Sequence, residues 1–188
     1  MTKTKRTLLL LLAVGALPII ASYAVYLWWQ PTSKMNHGEL LETRSAGLSE
    51  LPAESTADGK TVADLVQKKW VYLTVQPASC DARCQRKLYL MRQVRTAQNE
   101  NMLRVDRVWV IVGAGQPDAQ LLAAHPGLHL ARVTDLAKLA HLPLGQDAGA
   151  AIFLIDPLGN LVLRYDDQSS PKGMLKDLSR LLRYSGLG

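Results

Sequence analysis

The sequence predicts an α/β domain, a central mixed sheet flanked by helices, behind one apolar N-terminal helix. Two observations predict this. Residues 8–29 contain no charge, and the rest of the chain alternates between short β-branched runs and segments with helical spacing of apolar residues. The chain has 188 residues, 48% of them hydrophobic and 20% charged. This length suits one domain plus a short extra segment and excludes a multidomain enzyme.

The apolar run near the N-terminus has the length of a membrane span. About 20 apolar residues cross the hydrocarbon core as a helix, and Trp28 and Trp29 end the run with an aromatic belt. Basic residues precede the run, so the positive-inside rule places the N-terminus in the cytoplasm. We predict a cytoplasmic N-terminus over 1–7 and a transmembrane signal anchor over 8–29. The domain then faces the periplasm from a bacterial inner membrane.

A cleaved signal peptide is the alternative to an anchor. Ser22, Tyr23 and Ala24 resemble a small-x-small cleavage site after a short apolar core. We favour the retained anchor because the apolar run continues beyond Ala24. Both alternatives export the domain to a compartment where two cysteines can be oxidised.

The net charge of +6 is uneven along the chain. Three of the 22 basic residues precede the apolar run, so residues 30–188 carry 19 basic and 16 acidic residues, a net charge of +3. This weak and scattered charge gives no support to nucleic-acid binding. Residues 30–60 are rich in Ser, Thr, Glu, Gly and Pro, which predicts a linker, with the compact domain over 61–188.

The domain shows alternating strand and helix patterns. The first strand is rich in β-branched and aromatic residues, and the first helix places apolar residues at helical spacing. Thr134 is predicted to cap the third helix and Ser170 the last. Strands are predicted at 70–75, 107–112, 129–133, 150–155 and 161–165, and helices at 82–98, 118–124, 134–140 and 171–184. Two βα units followed by a hairpin and a helix imply parallel central strands, an antiparallel pair and a thioredoxin-like plan.

Cys80 and Cys84 directly follow the first long strand and open the first helix. The partial positive charge of a helix N-terminus favours thiolates. The i, i+4 spacing brings the two Cα atoms within about 6 Å, a separation that suits a disulfide or two thiolates on Cu(I). Both cysteines are therefore candidate catalytic residues and tentative Cu(I) ligands, and Cys80 is predicted to be the accessible sulfur. Alternatively, both are small core residues.

An exported domain of this plan with CxxxC after its first long strand resembles the Sco/SenC-type cytochrome oxidase assembly proteins. The likeness covers about 61–188 and includes the segment from Gln146 to Asn160. It implies copper delivery to the binuclear copper site of oxidase subunit II, or reduction of the cysteine disulfide of that site or of another exported thiol protein. The family's usual copper-ligand histidine is replaced by Ala148, and Ser79 and Asp81 flank the first cysteine where the family usually has proline.

Four histidines could replace the missing ligand. His141, seven positions before Ala148, is the one that we predict as a candidate metal ligand. His125 and His129 are expected to be exposed loop and edge residues, and His37 belongs to the predicted linker.

Two functional hypotheses follow from the sequence. The first is a membrane-anchored thioredoxin-like protein, a candidate thiol–disulfide oxidoreductase or Cu(I) handler that assists oxidase assembly. The second is a non-enzymatic docking module of a respiratory complex, in which the cysteines form only a static bridge. The two differ in whether the cysteine pair reacts.

Overall fold

The chain divides at Asn36 into two units in the computed structural model, which describes residues 3–28, 36–54, 59–145, 147 and 149–186. The first unit contains one helix, α1 (Lys3–Trp28), with Pro18 inside it. This helix is long and apolar enough to cross a membrane. An N-terminal signal sequence can have the same length and composition. The predicted anchor and its alternative are both compatible with α1. Trp29 lies outside the described residues.

A six-stranded sheet forms the centre of the second unit, in the order β1-β6-β5-β2-β3-β4. The strands β2, β3 and β4 run parallel, β5 pairs antiparallel with β2, and β6 pairs antiparallel with β5. This arrangement confirms the predicted mixed sheet. The strands are β1 (Glu39–Leu40), β2 (Trp70–Pro77), β3 (Val105–Val112), β4 (Leu128–Val133), β5 (Ile152–Ile155) and β6 (Leu161–Tyr165).

Helices cover both faces of this sheet. The α-helices are α2 (Val62–Leu65), α3 (Ala82–Thr96), α4 (Ala119–Ala123) and α5 (Pro171–Tyr184), and the 3₁₀ helices are Leu48–Glu50, Asn99–Arg104 and Leu136–Leu139. The start of α5 at Ser170 and Pro171 is confirmed, although the Ser170 side chain makes no capping hydrogen bond. Thr134 does not cap the third predicted helix. Asp135 caps it instead, since its carboxylate accepts a hydrogen bond from the Ala137 amide at 2.9 Å.

The alternation of side chains along β2 separates two cores. Val71, Leu73 and Val75 point to one face of the sheet, which we call the first face, and belong to the core on that side. Tyr72 points to the opposite face, which we call the helix face because it is covered by α3 and α5. There it packs with residues of these two helices such as Met91. Only the last residue of β2 is exposed. A strand buried on both faces reads as a continuous apolar run, which is why β2 was recognisable in the sequence.

Residues 36–54 belong to the second unit, although the sequence predicts a linker over 30–60. The strand β1 pairs with β6, and Ala46, Leu48 and Leu51 are buried in the first-face core. The compact unit therefore begins at Asn36 rather than at Thr61. These apolar residues lie singly among polar ones without helical or strand periodicity. The sequence therefore offers no local pattern that would show their burial.

Asp177 attaches this early segment to α5. The carboxylate is 1% exposed and accepts hydrogen bonds from the amides of His37 at 2.9 Å and Gly38 at 3.0 Å. The Tyr165 hydroxyl donates a third bond, at 3.1 Å. A buried carboxylate needs several such donors, because burying it without them costs several kcal/mol. Asp177 thus connects the start of the second unit, which we call the chain entry, to β6 and α5.

We expect Asp177→Ala to destabilise the oxidised chain by about 3 kcal/mol, because two amides and a buried hydroxyl lose their acceptor. Tyr165→Phe removes only one of the three bonds and should cost about 1 kcal/mol. Chemical unfolding measures both, and hydrogen exchange at the His37 and Gly38 amides should accelerate only in Asp177→Ala. Equal losses in the two variants would contradict the assignment of Asp177 as the shared acceptor.

Candidate functional site

The two cysteines form a disulfide where β2 passes into α3. Their Cα atoms are 5.1 Å apart, close to the separation predicted from the spacing. Cys80 is only 3% exposed and Cys84 is 0% exposed, so the expectation of an accessible Cys80 is not met in this oxidised state. The disulfide packs against Leu88 of α3 and Trp109 and Ile111 of β3.

The loop before α3 holds Cys80 in an unusual backbone conformation. Its φ is +34°, a region that disfavours residues with a Cβ by about 1 kcal/mol or more. Two hydrogen bonds restrain it, from the Cys80 amide to the Pro77 carbonyl at 3.3 Å and from the Gln85 side chain to the Cys80 carbonyl at 3.2 Å. Asp81 caps α3 by accepting from the Cys84 amide at 2.9 Å.

Gln76 connects the end of β2 to the loop before β5. Its side-chain amide donates to the Gly149 carbonyl at 2.5 Å. The main-chain carbonyl of Gln76 accepts from the Trp109 indole at 3.3 Å. A Cβ on Gly149 would lie 3.3 Å from an Asp147 oxygen, so little room remains at this point. The loop therefore lies close to the end of the strand that carries the cysteines. Gln146 and Ala148 of the same loop lie outside the described residues.

Arg83 ties three segments together beside the disulfide. Its Nε donates to Asp167 at 2.9 Å, and its Nη1 donates to Asp147 at 2.8 Å. Arg86 adds a bond to the Asp167 carbonyl at 3.0 Å. The hydrogen bonds from the Arg83 guanidinium lower the pKa of both carboxyl groups below their ordinary value. The side chain thus joins the first turn of α3, the loop before β5 and the turn after β6.

Lys87 is a buried cation on the same helix. The residue is 0% exposed, and its Nζ has no hydrogen-bond partner among the residues that the structure describes. Burial, with a smaller contribution from the positive charge of Arg83, lowers the pKa of Lys87 to about 8. Three residues after Cys84, it interrupts the apolar stripe that Leu88 and Met91 continue.

The structure does not bring His141 to the cysteines. Its Nε2 lies 2.9 Å from the carbonyl of Ala46, a residue of the first-face core, whereas the cysteines lie on the helix face. His125 is buried rather than exposed, and its pKa is lowered by that burial. His129 lies on β4 as predicted, 3.5 Å from an Asp106 oxygen. Within the described ranges, no three His, Cys, Asp or Glu residues are placed to hold a metal ion.

The sequence places the positive charges of Arg83, Arg86 and Lys87 near the cysteines, but it did not predict that Lys87 is buried or that two carboxylates hold Arg83. Lys87 carried a signal, a lysine at a position where helical spacing requires an apolar residue. The contacts of Arg83 left no signal in the sequence, because its partners Asp147 and Asp167 lie 64 and 84 positions away from it. Only the fold brings them together.

The family model of the transmembrane-like, thioredoxin-like, C-terminal domain matches residues 70–185. The chain belongs to this family. The family and the apolar α1 together indicate a membrane anchor. No curated protein matches the chain.

Several solved structures share the fold. The solution structure of apo Sco1 from Thermus thermophilus is 21% identical, with a TM-score of 0.58, covering 79% of this chain and 99% of that one. Copper-bound yeast Sco1 is 12% identical, with a TM-score of 0.55 and coverages of 81% and 96%. BsSco, described as a Sco-family oxidase assembly protein with a disulfide switch, is 10% identical, with a TM-score of 0.53 and coverages of 81% and 98%. The predicted likeness to Sco/SenC proteins is confirmed as a likeness of fold.

The Arg83 contacts predict an acid dependence of stability. A carboxyl group whose pKa is lower in the folded than in the unfolded protein contributes stability above the unfolded pKa, and this contribution is lost as the pH falls through the folded pKa. We therefore expect Arg83→Gln to be less stable than the wild type near neutral pH and to approach it below the ordinary carboxyl pKa of 3.8.

The measurement is urea unfolding of the oxidised chain from about pH 7 to about pH 2. Lys172→Gln, which removes an exposed cation from the first turn of α5, is the matched control and should track the wild type at every pH. A deficit in Arg83→Gln that is the same at every pH would mean that Arg83 stabilises the site by packing alone.

Proposed function

We propose that this chain is a membrane-anchored, periplasm-facing thiol–disulfide exchange protein in which Cys80 and Cys84 are the reacting residues. One observation carries the proposal: a disulfide at the N-terminus of a 15-residue helix, directly after the central strand of a thioredoxin-like sheet. The helix N-terminus and the cations of α3 favour thiolates there, and the thiolate is the reactive form of cysteine. A purely structural bridge would need none of these charges.

In the exchange reaction, a client dithiol supplies the two electrons that reduce the Cys80–Cys84 disulfide. A client thiolate attacks the sulfur of Cys80, the less buried of the two, and Cys84 leaves as a thiolate. The second client thiol loses its proton and attacks the client sulfur of the mixed disulfide, so Cys80 leaves in turn. Two electrons pass to the chain and the client becomes a disulfide. In the reverse direction, the same two steps reduce a client disulfide.

The anchor supports the proposed location and the class of client. Basic residues at the start of α1 precede its apolar run, which favours a cytoplasmic N-terminus and a periplasmic domain. Exported thiol proteins then share a compartment with the cysteine pair. The resemblance to a Sco protein of cytochrome oxidase assembly supports oxidase subunit II as one such client.

Cu(I) cargo is the second candidate function, favoured by the likeness to copper-bound yeast Sco1. Two thiolates whose Cα atoms are 5.1 Å apart suit two-coordinate Cu(I). The described residues offer no imidazole beside them, because His141 bonds to Ala46. The reduced pair therefore fits Cu(I) by itself and fits Cu(II), which prefers nitrogen or oxygen donors, poorly.

The exchange proposal predicts a reactive disulfide. In the full chain in detergent, the reduction potential of the Cys80–Cys84 pair should lie above about −300 mV, within reach of a glutathione buffer. Cys84→Ser should accumulate a mixed disulfide through Cys80, and Cys80→Ser should accumulate much less because Cys84 is fully buried. A potential below that limit, with no mixed disulfide in either variant, would favour the docking module with a static bridge.

The copper proposal predicts a stoichiometry. The reduced chain should bind one Cu(I), and either Cys→Ser change should abolish tight binding. His141→Ala should leave binding unchanged, because that ring is engaged on the first face of the sheet. Competition with a Cu(I) chelator measures all four proteins. Tight Cu(II) binding that is lost in His141→Ala would instead make His141 a ligand.

A further inference from the structure

We propose that Lys87 sets the redox poise of the cysteine pair by penalising the disulfide form and stabilising the Cys84 thiolate after reduction. This inference rests on the thiol–disulfide function proposed above and names the residue that tunes it. Lys87 is 0% exposed, and its ammonium nitrogen lacks a hydrogen-bond partner within the described part of the chain. A buried cation without a partner is costly, so its retention in the core needs a cause.

Helix geometry places Lys87 beside Cys84. Residues three apart on an α-helix share one face, with Cβ atoms about 5–6 Å apart. Both side chains are among the buried residues of α3, so both point into the protein. The two side chains therefore enter the protein interior from the same side of α3, where a charge interacts strongly with a neighbouring charge.

The anions near Lys87 are engaged elsewhere in the oxidised state. The charges that act on it are those of Arg83 and of the three carboxylates of Asp81, Asp147 and Asp167. Arg83 holds Asp147 and Asp167 at 2.8 and 2.9 Å, and Asp81 accepts from the Cys84 amide at 2.9 Å. None of the three forms an ion pair with Lys87 among the described contacts.

Reduction supplies the missing anion. In the disulfide both sulfurs are neutral, so only the carboxylates held by Arg83 and by the Cys84 amide offset the desolvation cost of the ammonium. When a client thiolate attacks Cys80, Cys84 leaves as a thiolate one helical turn from the ammonium, and the two opposite charges offset each other's burial. Stabilising the reduced form makes a disulfide a stronger oxidant. The lowered pKa of Lys87, about 8, agrees with an ammonium that is kept at neutral pH but poorly solvated.

Lys87→Met tests the inference in the full chain in detergent. Methionine keeps the length of the buried side chain without its charge. We expect the equilibrium constant of exchange with a dithiol buffer to shift at least tenfold toward the disulfide, which corresponds to a potential about 30 mV more negative. The pKa of the Cys84 thiol, from the pH profile of alkylation in the Cys80→Ser background, should rise. The oxidised form should also gain more stability than the reduced form.

Lys176→Met is the matched control, because it removes the same charge from an exposed position on α5. It should leave the potential and the thiol pKa unchanged. Lys87→Gln provides a second neutral variant should the methionine variant fold poorly, and it should shift the potential in the same direction. A structural role alone would change the stability of both redox forms equally and leave the potential in place.

The outcomes separate the two proposals. If the wild-type pair exchanges but both neutral variants of Lys87 match Lys176→Met in potential and thiol pKa, the inference about Lys87 is wrong and the exchange function stands. A shift toward the dithiol would also overturn it. If the wild-type pair does not exchange with a dithiol at all, the proposed function itself fails.

Discussion

The position of the candidate site depends on the burial of β2 on both faces. This strand pairs in parallel with β3 over eight residues and antiparallel with β5, and its alternating side chains enter two separate cores. Because the pairing with β3 and β5 and the packing of both faces fix β2, the end of this strand has one location in the unit. The chain must then leave the sheet at Pro77 and begin α3 there. The two cysteines lie at a helix N-terminus because β2 ends beneath it.

Charge is distributed unevenly around that helix N-terminus. Arg83 uses two of its nitrogens on Asp147 and Asp167, which satisfies both carboxylates and anchors two loops to α3. Lys87 is left in the interior with a positive charge and no partner among the described residues. Carboxylates held by an arginine fix the loops that carry them, whereas a buried ammonium without a partner costs stability. The same helix thus carries both a paired and an unpaired cation among the described residues.

The sequence predicts the structure correctly where burial leaves a local pattern. The strands β2 and β3 are continuous apolar runs, α3 and α5 carry apolar stripes, and Cys80 and Cys84 mark the start of α3, so each could be recognised from its own residues. It failed over residues 36–54, where single apolar residues such as Leu48 and Leu51 are buried by a sheet formed from distant parts of the chain. His125 was missed for the same reason, since its burial comes from tertiary neighbours.

The sequence by itself determined the apolar N-terminal helix, the mixed α/β plan and the spacing that allows the two cysteines to bond. These properties depend on interactions between residues close in the chain, and periodicity records such interactions. Only the tertiary structure decided that His141 faces Ala46 instead of the cysteines, that Arg83 meets two aspartates, and that Asp177 holds the chain entry. Each of these contacts joins residues more than 60 positions apart, and no local pattern encodes which distant partner the fold will deliver.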